Sequence, residues 1–265
     1  MLEAKLPVDL VALRAGRNLA LHTRDAQQGR HAASLDVVLV HGSCASMLQW
    51  SAQIDALAER HNVVAYDAYG CGRSPKPNDW HAYSAAQHVE DLKAVVRRCS
   101  GDGRRRRRRR TVIVAHSAAC SWALQASLDE PVAIDGLVLL GGLDAKPEAA
   151  SHPIFRFPVR CLEGIQPLLS AGFEERALHP RTRAGASQEH RELMELCAET
   201  NRSNSMYMCK VSPRPDSRSC ALRGAHSVTV ILTRHVPRQR RLTTGSSKWC
   251  RWIHSRVSRC QRCYL

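Results

Sequence analysis

Residues 111–124, TVIVAHSAACSWAL, decide the fold. The first five are a continuous apolar run, the signature of a strand buried on both faces of a parallel sheet. His116 and Ser117 follow, and a helical segment begins directly after them. A serine squeezed between strand and helix takes a strained turn that pushes its hydroxyl out of the backbone, and small residues are needed two positions to either side. Ala115 and Ala119 meet that need. Seven consecutive arginines, 104–110, stand immediately upstream behind Ser100-Gly101-Asp102-Gly103, where a short loop should join a helix to this strand. Like charges repel, so this run reads as a solvated insertion over 101–110.

The same strand pattern recurs on either side. DVVLVHG (36–42), NVVAY (62–66) and GLVLL (136–140) are three further short apolar runs. Between them lie amphipathic segments at 49–60, 84–99 and 120–128. In the second, Ala85, Val89, Leu92, Val95 and Val96 fall at helical spacing with charges elsewhere, as a helix covering one sheet face requires. Residues 8–13 and 18–23 read as a hairpin around Ala15-Gly16. Strands alternating with helices of this length predict an α/β fold, a mostly parallel sheet flanked by helices, over residues 1–146. Residues 147–208 change to helical segments broken by proline and glycine, the character of a cap. Residues 209–265 form an atypical tail rich in Ser, Arg and Cys, with SVTVIL (227–232) as its one convincing apolar run.

The net charge of +15 is placed unevenly. From residue 201 onward there are 14 Lys and Arg against one acid, Asp216, while residues 1–200 hold 25 basic and 23 acidic residues. Without the arginine run the body of the chain is mildly acidic. Polyanion binding by the two basic segments is therefore a separate function class to weigh, but no aromatic stacking residues or reader motif accompany the run. Nucleic acid is not a predicted partner.

The opening MLEAKLPVDL has no basic start leading into a long apolar run, and no stretch reaches the ~18 to 20 apolar residues of a membrane span. The sequence thus predicts a cytoplasmic protein whose 11 cysteines are reduced thiols. Cys260-Gln261-Arg262-Cys263, with Cys250 and His254, falls short of a paired zinc motif, so no metal is predicted.

In an open parallel sheet, function gathers at the carboxyl ends of the strands. The residues there are His41-Gly42-Ser43, then the run from Asp67 to Ser74, then His116-Ser117-Ala118-Ala119, each rich in small side chains. VVLVHGSCASMLQW, VVAYDAYGCGRSPKP and VIVAHSAACSWAL, in that order and spacing, resemble the α/β-hydrolase family of serine hydrolases, and more narrowly its intracellular abhydrolase-domain proteins. The resemblance covers about residues 8–145, and FPVRCLEGIQPLLSAGFEERAL is similar in style to the family's cap.

The resemblance implies a catalytic machinery that needs no cofactor. Ser117 corresponds to the nucleophile, the family's G-x-S-x-G appearing as Ala115-His116-Ser117-Ala118-Ala119 with alanine in place of both glycines. The backbone N–H groups of Ser43 and Ala118 correspond to the oxyanion hole. His226, within Arg223-Gly224-Ala225-His226-Ser227, and Asp144, just past GLVLLGG, are the candidates for the remaining triad members. His41 reads as a structural histidine beneath the site, and Asp67 as a structural carboxylate. The ending departs from the family near residue 210, as a shifted reading frame or mis-spliced end would produce. Three functions follow for testing: a serine hydrolase acting on acyl bonds of a small or lipid-like substrate, a catalytically incomplete member of the same fold, and a basic binder of anionic surfaces. Serine at 117 argues against the branches whose nucleophile is a carboxylate.

Overall fold

The computed structural model describes residues 6–27, 35–100, 109–129, 134–141, 157–177, 184–210 and 229–232. Its strands are β1 (Asp9–Arg14), β2 (Arg17–Arg24), β3 (Leu35–Val40), β4 (Asn62–Tyr66), β5 (Arg110–His116), β6 (Gly136–Leu140) and β7 (Thr229–Leu232). Its helices are α1 (Ser51–Ala58), α2 (Ala85–Ser100), α3 (Ala119–Leu128), α4 (Val159–Ala177), α5 (Gln188–Arg202) and α6 (Met206–Lys210).

The described strands make one sheet in the order β1-β2-β4-β3-β5-β6-β7. The pairs β4–β3, β3–β5 and β5–β6 are parallel. Both edges turn back: β2 runs antiparallel to β4, and β7 antiparallel to β6. The central strands are buried at every position of β3 and β4 because helices cover both faces. Side chains alternate across the pleat. Leu35, Val37 and Leu39 face α1 through Ile54, Leu57 and Ala58. Val38 and Val40 face the other way, into a larger cluster with Leu92, Val95 and Val96 of α2 and Trp122 and Ala123 of α3. Each such side chain contributes about 1.5–3 kcal/mol when fully buried.

The β1–β2 hairpin turns at Ala15-Gly16, with Gly16 at φ +69°. Arg14 and Arg17 flank the turn, and buried Asp91 on α2 neutralises both. The Arg17 guanidinium also lies 3.6 Å above the Tyr69 ring, so the hairpin is pinned to α2 and to the loop after β4.

The arginine run is less of an insertion than its composition predicts. Arg110 opens β5 opposite Leu35, and the Arg109 guanidinium donates to Asp36 on β3 at 2.8 Å. Two of the seven arginines belong to the start of the central strand β5, while residues 104–108 lie outside the described residues. The segment expected as one helix over 49–60 is divided, a 3-10 turn at Met47–Trp50 leading into α1. Among the described residues no helix is long and apolar enough to cross a membrane.

Candidate active site

The carboxyl ends of β4, β3 and β5 are neighbours in the sheet, so the three small-residue loops meet. At the end of β5, Ser117 takes φ +52°, a left-handed conformation that costs an L-residue about 1–2 kcal/mol. Its side chain is exposed. The turn is held locally. The Ser117 N–H donates to the Leu140 carbonyl at 2.8 Å, and the Ser117 carbonyl accepts from the Cys120 N–H at 2.9 Å. The Cys120 thiol lies 3.4 Å from both the Ala115 and Leu140 carbonyls. Ala115 and Ala119 are fully buried on either side, as the steric argument requires. α3 starts at once, with Ala118 as its N-cap.

The loop after β3 approaches this turn closely. A Cβ on Gly42 would stand 3.0 Å from the Ser117 Cβ and 3.2 Å from His116 Nδ1. Ser43, the next residue, is half-buried. Its N–H and that of Ala118 donate to no group among the described residues. Cys44 is also left-handed, at φ +56°.

The loop holds its shape through groups far away in sequence. Asp67, 2% exposed at the end of β4, accepts the Met47 N–H at 2.7 Å and the Arg73 N–H at 2.8 Å. Its carbonyl accepts the Ser74 hydroxyl at 2.6 Å, and that hydroxyl in turn accepts the Ala20 N–H. Gly72 must lack a side chain here, because at φ +52° its Cβ would lie 2.2 Å from the Asp67 carboxyl carbon. His41 is wholly buried beneath the loop. Its Nδ1 lies 2.7 Å from the Gly42 carbonyl and its Nε2 accepts the Ala68 N–H at 2.9 Å, which fixes a neutral tautomer with the proton on Nδ1. Burial lowers its pKa, against a partial opposing effect of Asp67. His41 and Asp67 thus have the structural roles their positions suggest.

His116 adjoins the serine in the chain, yet its ring is packed away from it. The ring meets Trp50 edge to face at 6.5 Å and lies against Gly42 and Gly141. Burial, followed by the nearby His41, pulls its pKa down to about 4. Burial pushes the thiols of Cys71, Cys120 and Cys197 up to about 12, which removes them as nucleophiles near neutral pH. Ser117 is left as the exposed nucleophile candidate at these strand ends.

Ser117, Ser43 and Ala118 are therefore brought together. Asp144 and His226 lie outside the described residues, as do Cys250, His254, Cys260 and Cys263. The Ser117 hydroxyl makes no hydrogen bond among the described residues. No group of three or more potential metal ligands occurs among them. Cys44 is disulfide-bonded, against the reduced thiols expected of the whole set, while Cys71, Cys120, Cys161 and Cys197 are free thiols. Proximity in the fold, rather than compartment alone, sets which thiols can pair.

Sequence reasoning missed Asn204. It follows α5, is 3% exposed, and its side chain reaches both loops. Oδ1 accepts the Gly72 N–H at 2.7 Å and Nδ2 donates to the Ala45 carbonyl at 3.1 Å. Nothing in the local pattern Ser203-Asn204-Ser205 marks it, because its partners are distant in the chain.

Comparison with known proteins agrees with this fold. A family model described as alpha/beta hydrolase fold matches residues 37–252, continuing past the change of character near residue 210. "Probable lysophospholipase BODYGUARD 2" of Arabidopsis thaliana is 30% identical over 138 residues, covering 50% of this chain and 25% of that protein. Protein ABHD8 of Homo sapiens is 27% identical over 176 residues, covering 65% of this chain and 37% of its own length. The chain thus spans well under half of these curated relatives. Among solved structures, a hydrolase from Pseudomonas aeruginosa PA01 superimposes with a TM-score of 0.59 at 20% identity, over 80% of this chain and 75% of that one.

Proposed function

Since the chain belongs to the alpha/beta hydrolase family, we propose that it is a serine hydrolase cleaving ester or related acyl bonds of a small or lipid-like substrate. The observation that carries the proposal is the left-handed, exposed Ser117 at the exit of β5. A non-glycine residue in that conformation stores strain, and such strain concentrates where a side chain must be presented.

In this reading the Ser117 hydroxyl attacks the acyl carbon while a histidine takes its proton, and His226 is the candidate. A carboxylate, with Asp144 as the candidate, orients that histidine and stabilises the imidazolium. The N–H groups of Ser43 and Ala118 receive the oxyanion of the tetrahedral intermediate, and each such donor is worth about 2.7–4 kcal/mol in the transition state. The histidine then protonates the leaving alcohol or amine, and water releases the acyl group by the same steps in reverse. Residues 147–208 act as the cap, which reaches loops 42–47 and 67–75 through Asn204. The lysophospholipase description of the plant relative favours a lipid-like acyl chain.

A catalytically incomplete member of the fold is the second reading, resting on the departure of the sequence from the family's pattern near residue 210, ahead of His226. Reaction with a fluorophosphonate separates the two. The serine hydrolase is labelled at Ser117, and Ser117→Ala abolishes the labelling while His226→Ala and Asp144→Ala slow it. A folded wild-type protein that takes no label overturns the hydrolase and leaves the second reading.

A further inference from the structure

Asn204 is a buried polar side chain with its two functional atoms committed to two different loops of the site. The loop it reaches through Nδ2 is the one that carries Ser43: Ala45, whose carbonyl it binds, closes the turn by donating its own N–H to Gly42 at 3.4 Å. The other loop, reached through Oδ1 at Gly72, is the one whose Arg73 N–H is held by Asp67. Loop 42–47 is therefore gripped twice, by Asp67 at Met47 and by Asn204 at Ala45. The first grip comes from the sheet and the second from the helical segment.

That second grip continues outward. The Gln166 side chain on α4 donates to the carbonyls of Arg202 and Asn204, at 2.7 and 3.1 Å. The Ser205 N–H donates to the Gly70 carbonyl at 2.8 Å. Met208 is buried beside Gly70, whose Cβ would stand 3.2 Å from the Met208 Cβ. A continuous set of hydrogen bonds thus runs from α4 through Asn204 to the loop beside Ser117.

We propose that Asn204 is a positioning residue through which helices α4, α5 and α6 set the oxyanion loop 42–47, so that displacement of those helices weakens acyl chemistry at Ser117. The catalytic consequence rests on the acyl-transfer reading above; the ordering of the loop does not. An N–H donor displaced by about 1 Å can lose about 10²-fold in rate, so the geometry of Ala45 is a sufficient lever.

Asn204→Asp keeps an acceptor for the Gly72 N–H and replaces the donor to Ala45 by a second oxygen. It is compared with Gln166→Ala, which frees the Arg202–Asn204 carbonyls and leaves Asn204 intact. Two readouts are taken on the full chain: turnover of p-nitrophenyl acetate, and amide hydrogen exchange of residues 42–47. The expected result is about a tenfold fall in kcat with KM within about twofold for Asn204→Asp, a smaller fall for Gln166→Ala, and faster exchange at 42–47 in both. Wild-type turnover and exchange in folded Asn204→Asp overturn the proposal. If Asn204→Asp does not fold, unchanged exchange at 42–47 in Gln166→Ala overturns it equally. A wild-type protein without esterase activity sinks the hydrolase reading, while the exchange data still decide whether Asn204 holds the loop.

Discussion

The turn after β5 and the loop after β3 lie side by side at one end of the sheet, yet they are built in opposite ways. The β5 turn takes its room from Ala115 and Ala119 and one hydrogen bond from Cys120, three residues on, and the adjoining strand end at Leu140 supplies the other. The β3 loop takes its shape from Asp67, 20 residues beyond Met47, and from Asn204, 159 residues beyond Ala45. A nucleophile can be presented by local sterics. In the proposed reading the oxyanion site must be aimed at a point in space, and the contacts of Asp67 and Asn204 do the aiming.

The place where the two loops touch offers the largest test. In Gly42→Ala the new methyl meets the Ser117 Cβ at 3.0 Å and His116 Nδ1 at 3.2 Å. The half-buried His116 ring also meets Trp50 edge to face at 6.5 Å. One loop must give way, and we expect labelling of Ser117 by a fluorophosphonate to slow by about 10²-fold with the fold retained. Wild-type labelling would show that the contact has slack and that the two loops are independent.

Asp67→Asn tests the long-range side of the comparison alone. The carboxylate accepts two backbone N–H groups on different loops. An amide keeps one acceptor oxygen and turns an NH₂ toward the other donor, which leaves that buried N–H unpaired at about 1–3 kcal/mol. The expected outcome is a lower urea midpoint and about tenfold slower turnover, while the Ser117 turn, which Asp67 does not touch, keeps its exchange protection. Equal loss of protection in both regions would mean that the β5 turn is not self-supporting.

The same division governs what could be read from the sequence. The four buried strands were legible because burial on both faces forces an unbroken apolar run, as in Val37-Val38-Leu39-Val40 and Leu137-Val138-Leu139-Leu140. The Ser117 turn was legible because its steric constraints, Ala115 and Ala119, lie within two residues, although the Leu140 carbonyl that holds its N–H does not. β7 falls inside the run SVTVIL, but its antiparallel pairing with β6 has no local signal. Arg109 carries the same side chain as the arginines before it, and only the register of β5 against β3 gives it Asp36 as a partner. Asn204 was invisible for the same reason, since its meaning resides in two carbonyl and amide groups that the fold delivers to it.

The smallest effect concerns the face of the sheet that carries both α2 and α3. His88 of α2 is stacked on Trp122 of α3, with ring centroids 4.3 Å apart and planes within 16°. It is 2% exposed, and its Nε2 has no hydrogen-bond partner among the described residues. Burial brings its pKa down to about 3, with Asp91 acting in the opposite direction and Arg17, His41 and Arg14 in the same one. The folded protein therefore keeps His88 neutral where the unfolded chain takes up a proton near pH 6.5. Between pH 6.5 and about 3 the unfolded state binds more protons at this site, so the contribution of His88 is full above pH 6.5 and is lost as the pH falls. His116 acts with the same sign down to about 4. His88→Phe keeps an aromatic ring on Trp122 and removes the titration. Urea unfolding followed from pH 7.5 to 4.5 should show the variant losing less stability on acidification, by at most about 1.4 kcal/mol for each pH unit below 6.5. Parallel curves for the two proteins would mean that His88 takes up its proton without leaving the stack, and that the α2–α3 face tolerates a charge.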